Sequence, residues 1–192
     1  MPRPVPADIA KKLPNAATVF AERGFDRARM DDVAQATGVP RATLYYYFAS
    51  KDEILGFLLQ ALLDDVAAKV ADAVTTPGSA ADRLAAVLRA QLEVLGSRPE
   101  TAQLLATHLG RAGGLTDITG AVEAAFHLPV REVLGAGAAD GTLRAVDAER
   151  AAWAVFGAVV LVGLHEIVHG RHSPQDALPD IEAVVLSGLA LR

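Results

Sequence analysis

An all-α fold of about nine helices is predicted from three observations. Apolar residues recur three and four apart along most of the chain, as in Leu13, Ala17 and Phe20, in Leu84, Val87, Leu88, Leu92 and Leu95, and in Ile181, Val184 and Val185. No stretch sustains the alternation of a half-buried strand. Gly and Pro punctuate the pattern at helix-length intervals: Gly24, Gly38, the TTPGS stretch at 75–79, Gly96 to Pro99, Gly113-Gly114, Asp140-Gly141 and Gly170 to Pro174.

Taken in order, the first element is limited by Pro14, which lies inside the apolar pattern and should shorten or kink the helix because it lacks an N–H and crowds the preceding turn. Ahead of it, Arg3, Lys11 and Lys12 form either a basic arm or a solvated lead-in. Residues 30–48, MDDVAQATGVPRATLYYYF, hold two short helical patterns around Gly38-Val39-Pro40. In the first, Met30, Val33 and Ala34 make the apolar face, Asp31 and Asp32 suit the positive N-terminal end, and Gly38 can take the left-handed conformation that stops a helix. In the second, Leu44 and Phe48 form the inward stripe and leave Arg41, Ala42, Thr43, Tyr45 and Tyr46 on other faces. Ser50 and Glu53 make a capping box for the next helix, Ser79 and Asp82 a looser one, and Ser173 precedes a Pro at a first helical position. Pro129 should interrupt a later helix. The last two helices, about 148–170 and 175–191, carry broad apolar surfaces.

Composition narrows the class. The chain has 192 residues, 52% hydrophobic and 21% charged, which suits a soluble globular protein, and the absence of cysteine excludes disulfides, thiolate metal sites and a Cys nucleophile. The N-terminal MPRPVPADIAKKLPN lacks the apolar core of a secretory signal, and the longest uncharged apolar run, Ala151 to Leu164, falls short of the roughly 20 residues a bilayer span needs. A cytoplasmic protein with no membrane partner is expected. The net charge of −5 hides an asymmetry: residues 1–52 carry eight Lys/Arg against six Asp/Glu, whereas residues 53–192 carry ten against seventeen. The basic share of the chain is its first quarter.

Two short helices joined by a tight Gly turn, with Arg at the start of the second, make a helix-turn-helix of the kind that enters the DNA major groove. The residues FAERGF (20–25) and MDDVAQATGVPRATLYYYFASKDEIL (30–55) resemble the N-terminal DNA-binding domain of the TetR family of bacterial transcriptional regulators. The resemblance implies a three-helix DNA-binding domain over 1–52 and a larger helical ligand-binding and dimerisation domain over 53–192. It places Arg41 and Ala42 at base edges, Thr43, Tyr45 and Tyr47 at phosphates and thymine methyls, and Lys51 at a phosphate. Tyr46 is left open between DNA, a neighbouring helix and solvent. Arg29 stands where the family usually has a Ser or Thr cap and is expected to gain a phosphate contact instead. Pro40 replaces the usual Ser. The resemblance further implies a repressor that binds a palindromic double-stranded operator as a homodimer through its last two helices and is released by a small apolar molecule. His108, Phe126, His127, Trp153 and Phe156 are the candidate pocket residues.

Two other readings compete. HEIVHGRH (165–172) contains the HExxH pattern of zinc hydrolases, with His165 and His169 as ligands and Glu166 as base. That chemistry needs a third ligand and a strand-lined cleft. His172 is too close, Glu182 is thirteen residues on, and no strand is predicted. The favoured alternative is the end of an apolar helix, where imidazoles cap carbonyls and Gly170 ends the helix. The third reading is a helical small-molecule-binding protein without DNA affinity. No catalytic residue, cofactor or resident metal is expected.

Overall fold

The computed structural model describes residues 4–108, 116–169 and 173–190, and every regular element among them is helical. The N-terminal part comprises α1 (Ala7–Ala10), α2 (Pro14–Arg23), α3 (Met30–Thr37) and α4 (Arg41–Tyr47). Then follow α5 (Lys51–Ala73), α6 (Ala80–Ser97), α7 (Pro99–His108) and α8 (Thr116–Val122), which passes through a π-helical turn (Glu123–His127) into α9 (Leu128–Ala139). α10 (Ala148–His169) and α11 (Leu178–Leu189) complete the fold, separated by a short 3-10 turn at Pro174–Ala177. If α1 with α2, and α8 with α9, are each counted as one interrupted helix, nine helices are described.

Both interruptions are caused by proline. Pro14 takes the first position of α2, where the missing N–H is not needed, and Leu13 before it is fully buried. Pro129 cannot serve the carbonyl four residues back, that of Ala125. The chain widens into the π-helical turn just before it, and Gln91 of α6 donates its side-chain N–H to the carbonyls of Ala125 and Phe126, at 3.3 Å each. Gln91 is fully buried in an otherwise apolar helix face, and this is what it does there.

The predicted caps form. Ser50 Oγ accepts from the Glu53 N–H at 3.4 Å, while the Glu53 carboxylate reaches one residue further back than expected, to the N–H of Ala49 at 2.7 Å. At α6, Ser79 and Asp82 make both bonds of a full box, and the Ser79 hydroxyl, followed by its backbone N–H, holds the Asp82 carboxyl below its ordinary pKa. α5 runs unbroken from Lys51, so the step from residue 52 to 53 falls inside a helix.

One apolar core runs from the N-terminal helices (Leu13, Phe20, Val33, Leu44, Phe48) through α5 (Ile54, Leu58, Leu62) to α6, α9 and α10. Gly137 on α9 is needed for that packing. A Cβ there would lie 2.6 Å from Ala80 Cβ and 2.7 Å from the Leu143 side chain, so only glycine lets α9 close on the start of α6.

α10 differs from its sequence expectation. Its 22 residues are long and apolar enough, by length and composition, to cross a bilayer, because helical structure extends past the 14-residue apolar run at both ends. In the fold, Ala152, Val155, Val159, Val160, Gly163 and Leu164 bury one face of it.

Candidate nucleic-acid interface

The turn between α3 and α4 has the expected geometry. Gly38 sits at φ 64°, ψ 20°, the left-handed region that only glycine enters without cost, and the buried Thr37 hydroxyl ties the turn by donating to the Val33 carbonyl and accepting from the Val39 N–H. Leu44 is fully buried and Phe48, just past the end of α4, nearly so. The opposite face of α4 is open: Arg41, Ala42, Tyr45 and Tyr46 are exposed, and Thr43 is partly so. Tyr47 is half-buried against the core, edge to face with Tyr46 at 4.9 Å.

Arg41 is held in place on this face. One guanidinium nitrogen meets both oxygens of Asp31, at 2.8 and 3.0 Å, and the guanidinium lies 5.4 Å from the Tyr45 ring centre. Tyr45, then Asp31, raises its pKa above the usual arginine value, so it stays cationic. Both partners of the ion pair are more than half exposed. Such a pair contributes little net energy and gives way to a stronger anion.

Arg29 precedes α3 with an exposed side chain. Its backbone N–H, rather than its side chain, takes part in capping, donating to Asp32 at 2.9 Å, and Asp32 also receives Arg23 at 2.6 Å. Lys11 and Lys12 are exposed, whereas Arg3 lies outside the described residues.

Lys51 is placed differently from the expectation of a free phosphate-binding ammonium. Its Nζ donates to the carbonyls of Phe25, Asp26 and Ala28 at 2.7, 2.9 and 3.2 Å, and lies 4.8 Å from the Phe25 ring centre. Three acceptors use all three ammonium protons. The lysine therefore locks the turn between α2 and α3 onto the start of α5.

Four of the five candidate pocket residues come together. Phe126 meets Phe156 at 5.6 Å, Phe156 meets Trp153 at 5.5 Å, and Trp153 lies over His127 at 4.5 Å. Phe126 and His127 are fully buried, so they are packed core rather than open lining. His127 Nε2 faces the Glu149 carboxylate at 3.3 Å, and Nδ1 has no hydrogen-bond partner. His108 stands apart, edge to face with Phe25 at 4.9 Å. It lines a cavity of about 340 Å³ with Phe25, Asp26, Gln103, Leu104 and Thr107, where α7 meets the DNA-binding half.

His165 and His169 stack on the exposed end of α10, with ring centres 4.1 Å apart. Among the described residues, no group of three or more His, Asp or Glu side chains is placed to hold a metal. Three residues with clear structural work escaped the sequence reading. They are Asp31, which holds Arg41, Phe25, which packs against Lys51 and His108, and Gln91, a lone polar side chain on an apolar stripe that serves the carbonyls ahead of Pro129.

A short recognition helix with a buried inward stripe and an exposed Arg–Tyr face, carried on an all-helical scaffold, defines the helix-turn-helix class of DNA-binding proteins. The profile of the bacterial regulatory proteins, tetR family, matches residues 13–56, so the N-terminal helices of this chain are similar to that family's DNA-binding domain. The chain is 35% identical over 80 residues to the HTH-type transcriptional repressor KstR2 of Mycobacterium tuberculosis, a match covering 42% of this chain and 40% of that one. It is 43% identical over 44 residues to IcaR of Staphylococcus aureus, the negative regulator of the biofilm operon icaADBC, covering 23% of this chain and 24% of IcaR. The sequence likeness thus spans less than half of either relative. The fold likeness spans nearly all: the fatty acid degradation regulator FadR from Bacillus halodurans superposes with a TM-score of 0.83 at 20% identity, over 99% of this chain and 100% of that one. The KstR2 structure superposes with a TM-score of 0.77 at 22% identity, over 98% of each.

Proposed function

We propose that this chain is a cytoplasmic, sequence-specific transcriptional regulator: a repressor that binds a palindromic operator as a homodimer and leaves it when a small apolar effector binds. The observation that carries the reading is the outer face of α4, where Arg41, Ala42, Tyr45 and Tyr46 are exposed while Leu44, and Phe48 just past the helix end, are turned inward. Arg41 is the base-reading residue, since its guanidinium can exchange the exposed Asp31 carboxylate for the two acceptors of a guanine edge. Ala42 offers a methyl contact to thymine. Thr43, Tyr45 and Arg29 bond phosphates, with Tyr46 at the edge of the contact. Tyr47, half-buried, supports Tyr46 more than it reaches outward. Lys51 holds the turn.

Dimerisation is supported by what one protomer leaves uncovered. On α10, Trp153, Leu161 and Val168 are 45%, 70% and 58% exposed, and on α11 Val184 is 75% exposed. Only a third of the apolar stretch of α10 is buried within the protomer. A second copy covering both helices removes this surface from water, and it accounts for the apolar character of α10 without a membrane. Release by an effector follows from linkage: a molecule that binds better to the conformer with misplaced recognition helices weakens DNA binding, and DNA weakens its binding by the same factor. The cavity where α7 meets Phe25 adjoins the turn that Lys51 holds, so a shift of α7 acts directly on the DNA-binding half.

The test is fluorescence anisotropy against the DNA upstream of the chain's own coding region and against a scrambled duplex, at two salt concentrations. Tight, salt-sensitive and sequence-selective binding with two protomers per palindrome, or a multiple of two, is expected. Equal affinity for both duplexes at both salts overturns the regulator reading and leaves a helical ligand-binding protein.

A further inference from the structure

The histidine pair on α10 lies outside the DNA-contacting residues named above, and three features give it a chemistry of its own. His165 and His169 are one turn apart and both exposed, with ring centres 4.1 Å apart and planes inclined by 33°. The Nδ1 of His169 lies 2.9 Å from the backbone carbonyl of His165. A carbonyl only accepts, so this bond puts a proton on Nδ1 and, in the neutral ring, leaves the Nε2 lone pair for a ligand. That second bond, from the other ring nitrogen to a backbone carbonyl, is the support that metal-ligating histidines ordinarily have, because it fixes tautomer and ring orientation together. The pair also lies at the C-terminal end of a 22-residue helix, whose negative pole favours a bound cation.

We infer that His165 and His169 form a two-imidazole chelate for a divalent transition-metal ion of the zinc, nickel and copper class. Imidazole suits these metals, and no described third side chain closes the coordination sphere, so water completes it. An open, two-ligand sphere holds an ion exchangeably. His165 lies between Leu161 and Val168, on the same side of α10 as the surface assigned above to the second copy. Only that placement rests on the dimer reading; both ligands come from one helix of one protomer.

The experiment is isothermal titration of zinc chloride into the metal-stripped, tag-free full-length chain at neutral pH, repeated with His165→Gln, His169→Gln and Leu161→Glu. Both histidines are on the surface, so the glutamine variants are expected to fold, with circular dichroism as the check. One zinc per protomer is expected, with affinity lowered about tenfold or more in each glutamine variant. The Leu161→Glu variant, made to remove dimerisation, is expected to bind at least as tightly as the parent, since the new carboxylate lies one turn from His165 and can join the sphere. Zinc binding unchanged in the glutamine variants, or none in the parent, overturns the chelate and leaves the pair as a helix cap. Loss of binding in Leu161→Glu alone overturns the single-helix site in favour of one shared between protomers. Operator binding is not read in any arm, so failure here is distinct from failure of the regulator reading.

Discussion

Two cations four residues or fewer from the ends of α4 have opposite fates, and the difference sets what their removal does. Arg41 is on the surface in an ion pair that costs little to exchange, so Arg41→Ala is expected to lose about 1–3 kcal/mol of operator binding and to relax selection at one base pair. Lys51 is committed to three carbonyls of the 25–28 turn. Lys51→Ala strands acceptors in a partly buried turn, and a cost of about 1–3 kcal/mol of stability is expected in chemical denaturation. Its effect on DNA should be equal across sequences, with the slope of log affinity against log salt unchanged. A slope reduced by about one, at unchanged stability, is the signature of a direct phosphate contact and returns Lys51 to the role expected from sequence. At this scale the sequence was legible where burial alone decides, as at Leu44 and Phe48. It was illegible where the partner is twenty-odd residues away and is a backbone carbonyl, because carbonyls carry no sequence signal.

Among the elements, α8 to α9 shows how a local defect is repaired at a distance. The interruption at Pro129 was readable, since a missing N–H needs no tertiary information. The form it takes, a π-helical turn with two carbonyls handed to Gln91, was not, because it depends on α6 lying against the turn. Gln91→Leu keeps the volume and removes the donor that both carbonyls share, and a loss of about 1–3 kcal/mol is expected. The mechanism is checked by a double-mutant cycle with Pro129→Ala, which restores an N–H for the Ala125 carbonyl. Gln91→Leu should cost less in the Pro129→Ala background than in the parent, whereas strict additivity separates the two residues and removes the explanation.

At the scale of the whole molecule, the exposed apolar side of α10 is accounted for by the second copy proposed above. Helix periodicity and punctuation give the all-α class and the N-terminal module, because each is a property of a segment. The grouping of Phe126, His127, Trp153 and Phe156, and the separation of His108 from them, depend on how segments pack, so the five were named from sequence as one set and found as two. α10 carries the same lesson further: its apolar faces are too many for one protomer to bury. Trp153, Leu161 and Val168 fall along one exposed side of it, beside the small residues Ala154, Gly157 and Ala158 that let another helix approach closely. A charge at the middle of that side is solvated in the monomer and desolvated in the dimer. Leu161→Glu, exposed in the protomer, should leave folding intact yet shift sedimentation from dimer to monomer at micromolar concentration. Because two recognition helices about 34–36 Å apart must be set by the dimer to read successive half-sites, the same substitution should abolish selective binding to a full palindrome while leaving weak, salt-sensitive binding to a half-site. If the variant remains dimeric, the surface around Leu161 is not the interface, and the uncovered side of α10 requires a different partner.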